Sequence, residues 1–233
     1  MDIQEKLRVL DHIYAVHAGF IAGQETACGR QCDRCCTRNV TLTTLEAYQI
    51  ATQLEASGKT GLFERLASAI DLPRFMPLVT TNGLADICLR GDDPPEEAID
   101  PDWGACPLLT NGECPLYAVR PFGCRCMVSA RRCDGTGAAE MAPLVVTVNN
   151  VILQYIEHID RDGWSGNLTD LLIFMASEEN RRRYHDGILN RPPAGMIRNQ
   201  PVRALMVPPR HRQQIAPLLA ALQQIPPDPA PRG

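Results

Sequence analysis

The sequence predicts a mainly α-helical protein with a long irregular cysteine-rich loop region organised around a metal centre. Three observations carry this. Apolar residues recur at helical spacing in six stretches. Residues 73–140 lack that periodicity, and so long an irregular stretch is uncommon inside a compact domain. Ten cysteines crowd mostly into two short groups. A chain of 233 residues, 45% hydrophobic and 21% charged, can bury a core without metals or disulfides.

The helices follow in order. Ile3, Leu7, Leu10, Tyr14, His17 and Ile21 place the first at 2–21. The second starts at Thr43, where Glu46 three residues on completes a capping box, and ends near Gly58. The third covers 61–71 and stops before Pro73. The apolar run from Leu144 to Ile159 makes the fourth, with a strand at its β-branched start as an alternative. Leu168, Leu171, Leu172 and Met175 place the fifth at 168–179. Ile215, Leu218, Leu219, Leu222 and Ile225 place a sixth at 213–225. Residues 226–233, with four prolines, are expected to be a disordered tail. In the irregular region, Arg90 to Glu97 reads as a solvated acidic loop.

Charge divides the chain unevenly. Residues 1–180 carry fourteen basic and twenty-five acidic groups, whereas 181–212 carry eight arginines and one acid, Asp186. These arginines alternate with prolines and apolar residues and form no recognition motif, so nucleic acid is not the expected partner. Aromatics at 5% also leave little for base stacking. Neutralising the acidic body is the favoured role of this segment, and a protein partner is the alternative. No apolar stretch is long enough to span a bilayer. Asp2, Glu5 and Asp11 interrupt any signal-peptide core, so a cytoplasmic protein with reduced thiols is expected. The organisation is thus a helical cysteine-cluster domain at 1–180, with ligand segments 28–36 and 106–126. An arginine-rich segment and C-terminal helix at 181–225 pack on it or extend from it.

The first cysteine group is Cys28, Cys32, Cys35 and Cys36; the second is Cys106, Cys114, Cys124 and Cys126, with Cys133 beyond and Cys88 alone. A single buried thiol explains Cys88. It does not explain four thiols within nine residues, and disulfides require an oxidising compartment. Metal ligation explains both the clustering and the Gly/Pro context, since thiolates select zinc or iron–sulfur clusters. On a helix-like turn Cys28, Cys32 and Cys35 would share one face, while Cys36 would face a neighbouring centre or pack as a plain thiol. Cys124 and Cys126 would diverge in extended chain, leaving one for a second centre or none. Only one two-residue knuckle exists, Cys32 to Cys35, and no histidine lies near either group. These features, with Cys106 and Cys114 each followed by proline, favour an iron–sulfur cluster, [4Fe-4S], in one or two centres. Structural zinc is the alternative. Arg30, Arg34, Arg120 and Arg125 flank the cysteines, either to offset the negative charge of a cluster or as plain surface groups.

The run Cys28…Cys32…Cys35-Cys36, then Glu46, then Cys106-Pro-Leu-Leu…Gly112-Glu-Cys114-Pro-Leu-Tyr117-Ala-Val-Arg120-Pro121-Phe-Gly-Cys124-Arg125 resembles the CxxCxxCC family. These are YkgJ-type zinc- or iron-chelating proteins, related to the cluster region of flagellin lysine N-methylases. The resemblance covers about residues 28–46 and 106–126. It implies a cysteine-ligated metal centre at Cys28, Cys32, Cys35, Cys36, Cys106, Cys114 and Cys124, and it admits a protein lysine N-methylase-like enzyme. One spacing departs from the pattern: three residues, not two, separate Cys28 from Cys32. Cys126 and Cys133 are extra to it, and counting Cys126 gives eight ligands, enough for two four-thiolate centres.

No phosphate loop, nucleophile elbow or paired-histidine zinc motif is present. His17 is expected to pack on an apolar helix face. Capping alone accounts for Glu46. Tyr117 is expected to pack under the loop, and Arg120 to brace a carbonyl or a carboxylate.

Overall fold

The computed structural model describes residues 1–29, 31–98, 103–133 and 138–224. Arg30, Ile225 and the 226–233 tail lie outside them. Helix α1, Ile3–Ala22, starts where the Asp2 side chain accepts the Glu5 N–H at 2.8 Å. It buries Ile3, Val9, Leu10, Ile13, Tyr14 and His17. Strand β1, Thr41–Thr43, leads straight into α2, Thr44–Ala56. The Thr43–Glu46 capping box forms as its spacing requires. Helix α3, Gly61–Ala67, is shorter than its pattern suggests. After Ser68 the chain tightens into three-residue bonds, such as Ala69 N to Leu66 O at 3.0 Å and Leu72 N to Ala69 O at 3.1 Å.

Helix α4, Thr81–Arg90, falls inside the stretch that shows no period. Its signals are local instead: Thr80 caps it by accepting from Gly83 N, and Gly91 closes it at φ +76°. A one-turn helix α5, Phe122–Arg125, carries Cys124. Helix α6, Pro143–Ile159, is helical from its start, so the strand alternative fails. Val145, Val148, Val151, Ile152, Ile156 and Ile159 are buried along it, and that burial outweighs their β-branched preference. Strand β2, Trp164–Asn167, precedes α7, Leu168–Ala176. The single helix expected at 168–179 is two, because Ser177 turns extended (ψ 123°) and caps α8, Glu178–His185. Strand β3, Met196–Arg198, and α9, Arg212–Gln223, complete the order.

The three strands form an antiparallel sheet in the order β1-β2-β3, with Leu42 opposite Gly166 and Ser165 opposite Ile197. Strands this short leave no run for an alternating pattern, so the sheet is absent from the expectations. One core joins residues from α1 through α9, including Leu10, Ile50, Ile152, Trp164, Leu172 and Leu222. Asp160 sits fully buried at its edge. Its carboxylate accepts from the Thr44 hydroxyl at 2.6 Å, the Leu45 N–H at 3.0 Å, the Tyr184 hydroxyl at 2.6 Å and the Asn199 amide at 3.1 Å. No described helix is long and apolar enough to cross a membrane.

Part of the arginine-rich segment is engaged within the molecule, while Arg182, Arg191, Arg210 and Arg212 are exposed. Arg181 bonds Glu55 and the Met175 carbonyl, Arg198 the Asn190 carbonyl, and Arg203 pairs with Asp86 at 3.5 Å. The 92–96 stretch of the acidic loop is exposed, while Glu97 folds back to accept the Leu78 N–H at 2.7 Å.

Candidate metal centre

The two cysteine groups meet along a short backbone ladder. Thr37 bridges Ala105, the Cys106 N–H donates to the Cys36 carbonyl at 2.8 Å, and Arg38 N–H donates to the Gly104 carbonyl at 3.2 Å. Farther on, Ala27 N–H donates to the Ser129 carbonyl at 2.8 Å. The Ser129 N–H in turn donates to Cys28 Sγ at 3.1 Å. Residues 66 to 102 positions apart in sequence are thereby held side by side.

The described part of the first group is not helical, which overturns the shared helix face. Residues 24–29 and 31–40 run through separate turns, with Cys32 N–H on the Gly29 carbonyl at 3.1 Å and Cys36 N–H on the Asp33 carbonyl at 2.8 Å. Gln31 sits at φ +75°, which breaks any helical continuation. The second group turns at Asn111-Gly112, both at positive φ, with Thr110 bridging Glu113. That dipeptide is a hairpin signal readable in the sequence. Arg65 of α3 clamps this turn by donating to Thr110 Oγ1 at 2.9 Å and to the Pro107 carbonyl at 2.9 Å. No motif marks that residue.

Glu46 does more than cap α2. Its Oε1 also accepts the Phe122 N–H at 2.7 Å and the Tyr14 hydroxyl at 2.8 Å, fixing the first residue of the turn that bears Cys124. Gly123 lets that turn approach β1: a Cβ there would stand 2.5 Å from the Thr41 carbonyl oxygen. His17 packs edge-on against Phe122 and bonds Asn149 at 3.0 Å, a satisfied core histidine as expected. Asn149 in turn donates to the Cys126 carbonyl at 3.0 Å.

Around this frame the sulfurs line three adjoining cavities. Cys36, Cys106, Cys114 and Cys124 line an apolar one of about 20 Å³. Cys28, Cys32, Cys35, Cys36, Cys114 and Cys124 line one of about 230 Å³. Cys28, Cys32 and Cys133 line one of about 360 Å³. Cys126 lines none of these three, and its thiol donates to the Gly123 carbonyl at 3.5 Å. Cys88 is exposed on α4, not buried as a plain core thiol would be, and lines an open groove shared with Val146 of α6 and Val207. All ten thiols are free. Among the described residues no group of three or more His, Cys, Asp or Glu side chains already stands as a ligand set for one ion; the sulfurs ring cavities instead.

The electrostatics set the thiols apart. Burial raises Cys106, Cys114 and Cys28, pushes Cys126 up to about 12, and drives Cys124 still higher. Cys35 is lowered to about 7, first by the hydrogen bond from the Cys36 thiol and further by Arg120, while Cys36 is raised in return. Backbone N–H groups of Leu108 and Leu109 point to the Cys106 sulfur, and that of Leu116 to Cys114. Such donors favour a thiolate, and so does a bound cation. A thiophilic ion fits a donor set of thiols held by N–H groups in apolar walls.

Of the flanking arginines, Arg120 lies over the Tyr117 ring at 3.8 Å and braces its carbonyl at 3.4 Å, within reach of Cys35 and Cys114. Tyr117 itself is 45% exposed instead of packed beneath the loop, with Arg120 stacked on one face of its ring. Arg125 is committed to the Arg120 carbonyl at 2.7 Å and the Tyr14 ring. No protein-family model, curated protein or solved structure matches the chain.

Proposed function

We propose that the chain is a cysteine-ligated metal protein, with an iron–sulfur cluster, [4Fe-4S], as the favoured group and a redox or accessory role for it. The observation that carries this is the convergence of Cys36 with Cys106, Cys114 and Cys124 on one apolar cavity, next to a larger one of about 230 Å³ into which a cluster would extend. Thiolates alone, without histidine, suit soft metal centres. Bound here, such a cluster would exchange single electrons with a partner. Arg120 would offset its negative charge, and the N–H groups on Cys106 and Cys114 would tune it. The resemblance of the two cysteine segments to the CxxCxxCC family points the same way.

Zinc is the second reading, favoured by one observation. The cavity shared by Cys36, Cys106, Cys114 and Cys124, about 20 Å³, holds roughly one water-sized sphere, which suits a single ion. Elemental analysis of anaerobically purified protein separates the two. Iron and sulfide in equal amounts with broad visible absorbance is the expected result. Zinc in a colourless, air-stable protein selects the second reading, and a metal-free chain of unchanged stability removes both.

A further inference from the structure

We infer that Cys133 joins Cys28, Cys32 and Cys35 in a second thiolate-ligated metal site, and that Cys126 is not a ligand. This rests on the reading that the converging thiols bind metal; it adds a second centre, its ligands, and a residue outside the pattern of the two motif segments. The carrying observation is the cavity of about 360 Å³ lined by Cys133 together with Cys28 and Cys32. Cys35 shares the adjoining cavity with those two.

The backbone explains why Cys133 arrives there. Ser129 pairs with Ala27 and holds the Cys28 sulfur, four residues before Cys133. The same stretch is braced from its far side: Ala130 N–H donates to the Glu140 carbonyl at 2.8 Å and Glu140 N–H to Ser129 Oγ at 2.9 Å. The chain leaving Ser129 is thus started along the edge of the first cysteine group. Arg34, Arg131 and Arg132 line the same cavity beside Asp33, and Arg131 also pairs with Glu140 at 3.4 Å. Four thiolates around a divalent ion leave net negative charge, which nearby guanidinium groups offset. Cys126 sits instead behind α5, its thiol on the Gly123 carbonyl and its own carbonyl held by Asn149. The ten cysteines then divide into Cys36, Cys106, Cys114 and Cys124 at one centre and Cys28, Cys32, Cys35 and Cys133 at the other, with Cys88 and Cys126 spared.

The test loads the full chain anaerobically, once with ferrous iron plus sulfide and once with zinc alone, and measures metal per chain. The variants are Cys133→Ser, Cys28→Ser, Cys114→Ser and Cys126→Ser. Cys133→Ser and Cys28→Ser should each carry half the wild-type metal, as should Cys114→Ser, and Cys133→Ser/Cys114→Ser almost none. Cys126→Ser should match wild type. Metal retained at the other centre shows that each single variant is folded. Wild-type loading in Cys133→Ser, or half loading in Cys126→Ser, overturns the second site while the first stands on Cys114→Ser. A wild-type chain that takes up neither probe overturns the proposed function itself.

Discussion

Replacing Glu46 with alanine should cost about 3–5 kcal/mol. The side chain is 2% exposed, and its two oxygens accept from the Thr43 N–H at 2.9 Å, the Thr43 hydroxyl at 3.1 Å, the Tyr14 hydroxyl at 2.8 Å and the Phe122 N–H at 2.7 Å. Alanine leaves two backbone N–H groups and a phenol buried without partners, each worth about 1–3 kcal/mol where water does not reach. The capping share of that total is about 1 kcal/mol. Glu46→Gln keeps one acceptor oxygen and should lose only about 1–2 kcal/mol. Urea unfolding of chelator-treated protein at neutral pH measures both, with an unchanged denaturant slope as the check on comparison. A loss below about 1 kcal/mol for Glu46→Ala would mean that its partners find other acceptors, and the anchoring argument would fail. The same variant carries a second readout. Freed from Glu46, Phe122 no longer fixes the turn that bears Cys124, so metal retained through purification should fall more in Glu46→Ala than in Glu46→Gln.

Four further outcomes follow from the same geometry. Burial lifts the Asp160 carboxyl from its ordinary 3.8 to about 6, against the donors that oppose it. The folded chain then holds this proton while the unfolded chain has lost it, so stability should fall by about 1.4 kcal/mol per pH unit between about pH 4 and 6 and level off above; subtracting the profile of Asp160→Asn isolates the slope, and parallel profiles would refute it. Gly123→Ala drives a methyl group to 2.5 Å from the Thr41 carbonyl; it should cost about 1–3 kcal/mol and halve metal content, whereas wild-type thermal stability would show that the turn yields freely. Arg65→Ala removes the clamp on the Thr110–Glu113 turn, and hydrogen exchange should quicken at Thr110 and Glu113 with α6 unaffected. Removing metal with a chelator should raise exchange at the Cys106 amide, which bonds the Cys36 carbonyl, and loading should release protons because the buried thiols are raised; loading with no proton release would exclude those thiols as ligands.

The helices were legible because their signals are local. Asp2, Thr43 with Glu46, and the apolar spacing of α1, α6 and α9 each sit within one or two turns of sequence. Helix α4 escaped because its few buried residues, Asn82 and Ala85, give no apolar stripe; only Thr80 and Gly91 announce it. The sheet escaped because its strands are three or four residues long and β1 pairs with β2 across more than a hundred positions. At the site, the cysteine groups were visible as composition, but which sulfurs share a cavity was not. Whether Cys126 or Cys133 faces Cys28 depends on the Ser129–Ala27 pairing and on α5, a one-turn helix set by Glu46 and by the missing Cβ of Gly123. Those are contacts between distant segments, and no periodicity encodes them.

The division of labour in the fold follows from where apolar burial runs out. The helices and sheet share one continuous core, and buried carboxylates at Asp160 and Glu157 tie its edges through several hydrogen bonds each. From 103 to 133 the chain buries the apolar side chains of Leu108, Leu116, Pro121 and Phe122, with Val119 and four of the cysteines packed half-buried against the core. These anchors are few for so long a segment, since every ordered residue costs conformational entropy. Its other restraints include the short ladder to Cys36, the Arg65 clamp and the Glu46 bond, each gripping the backbone within a few residues of a cysteine. A segment built this way gains most from cross-links at its sulfurs, which close loops of about seventy residues onto the first cysteine group. A metal bound at these thiols would therefore act on the loop region and not on the helical core, at the part of the fold with the least packing of its own.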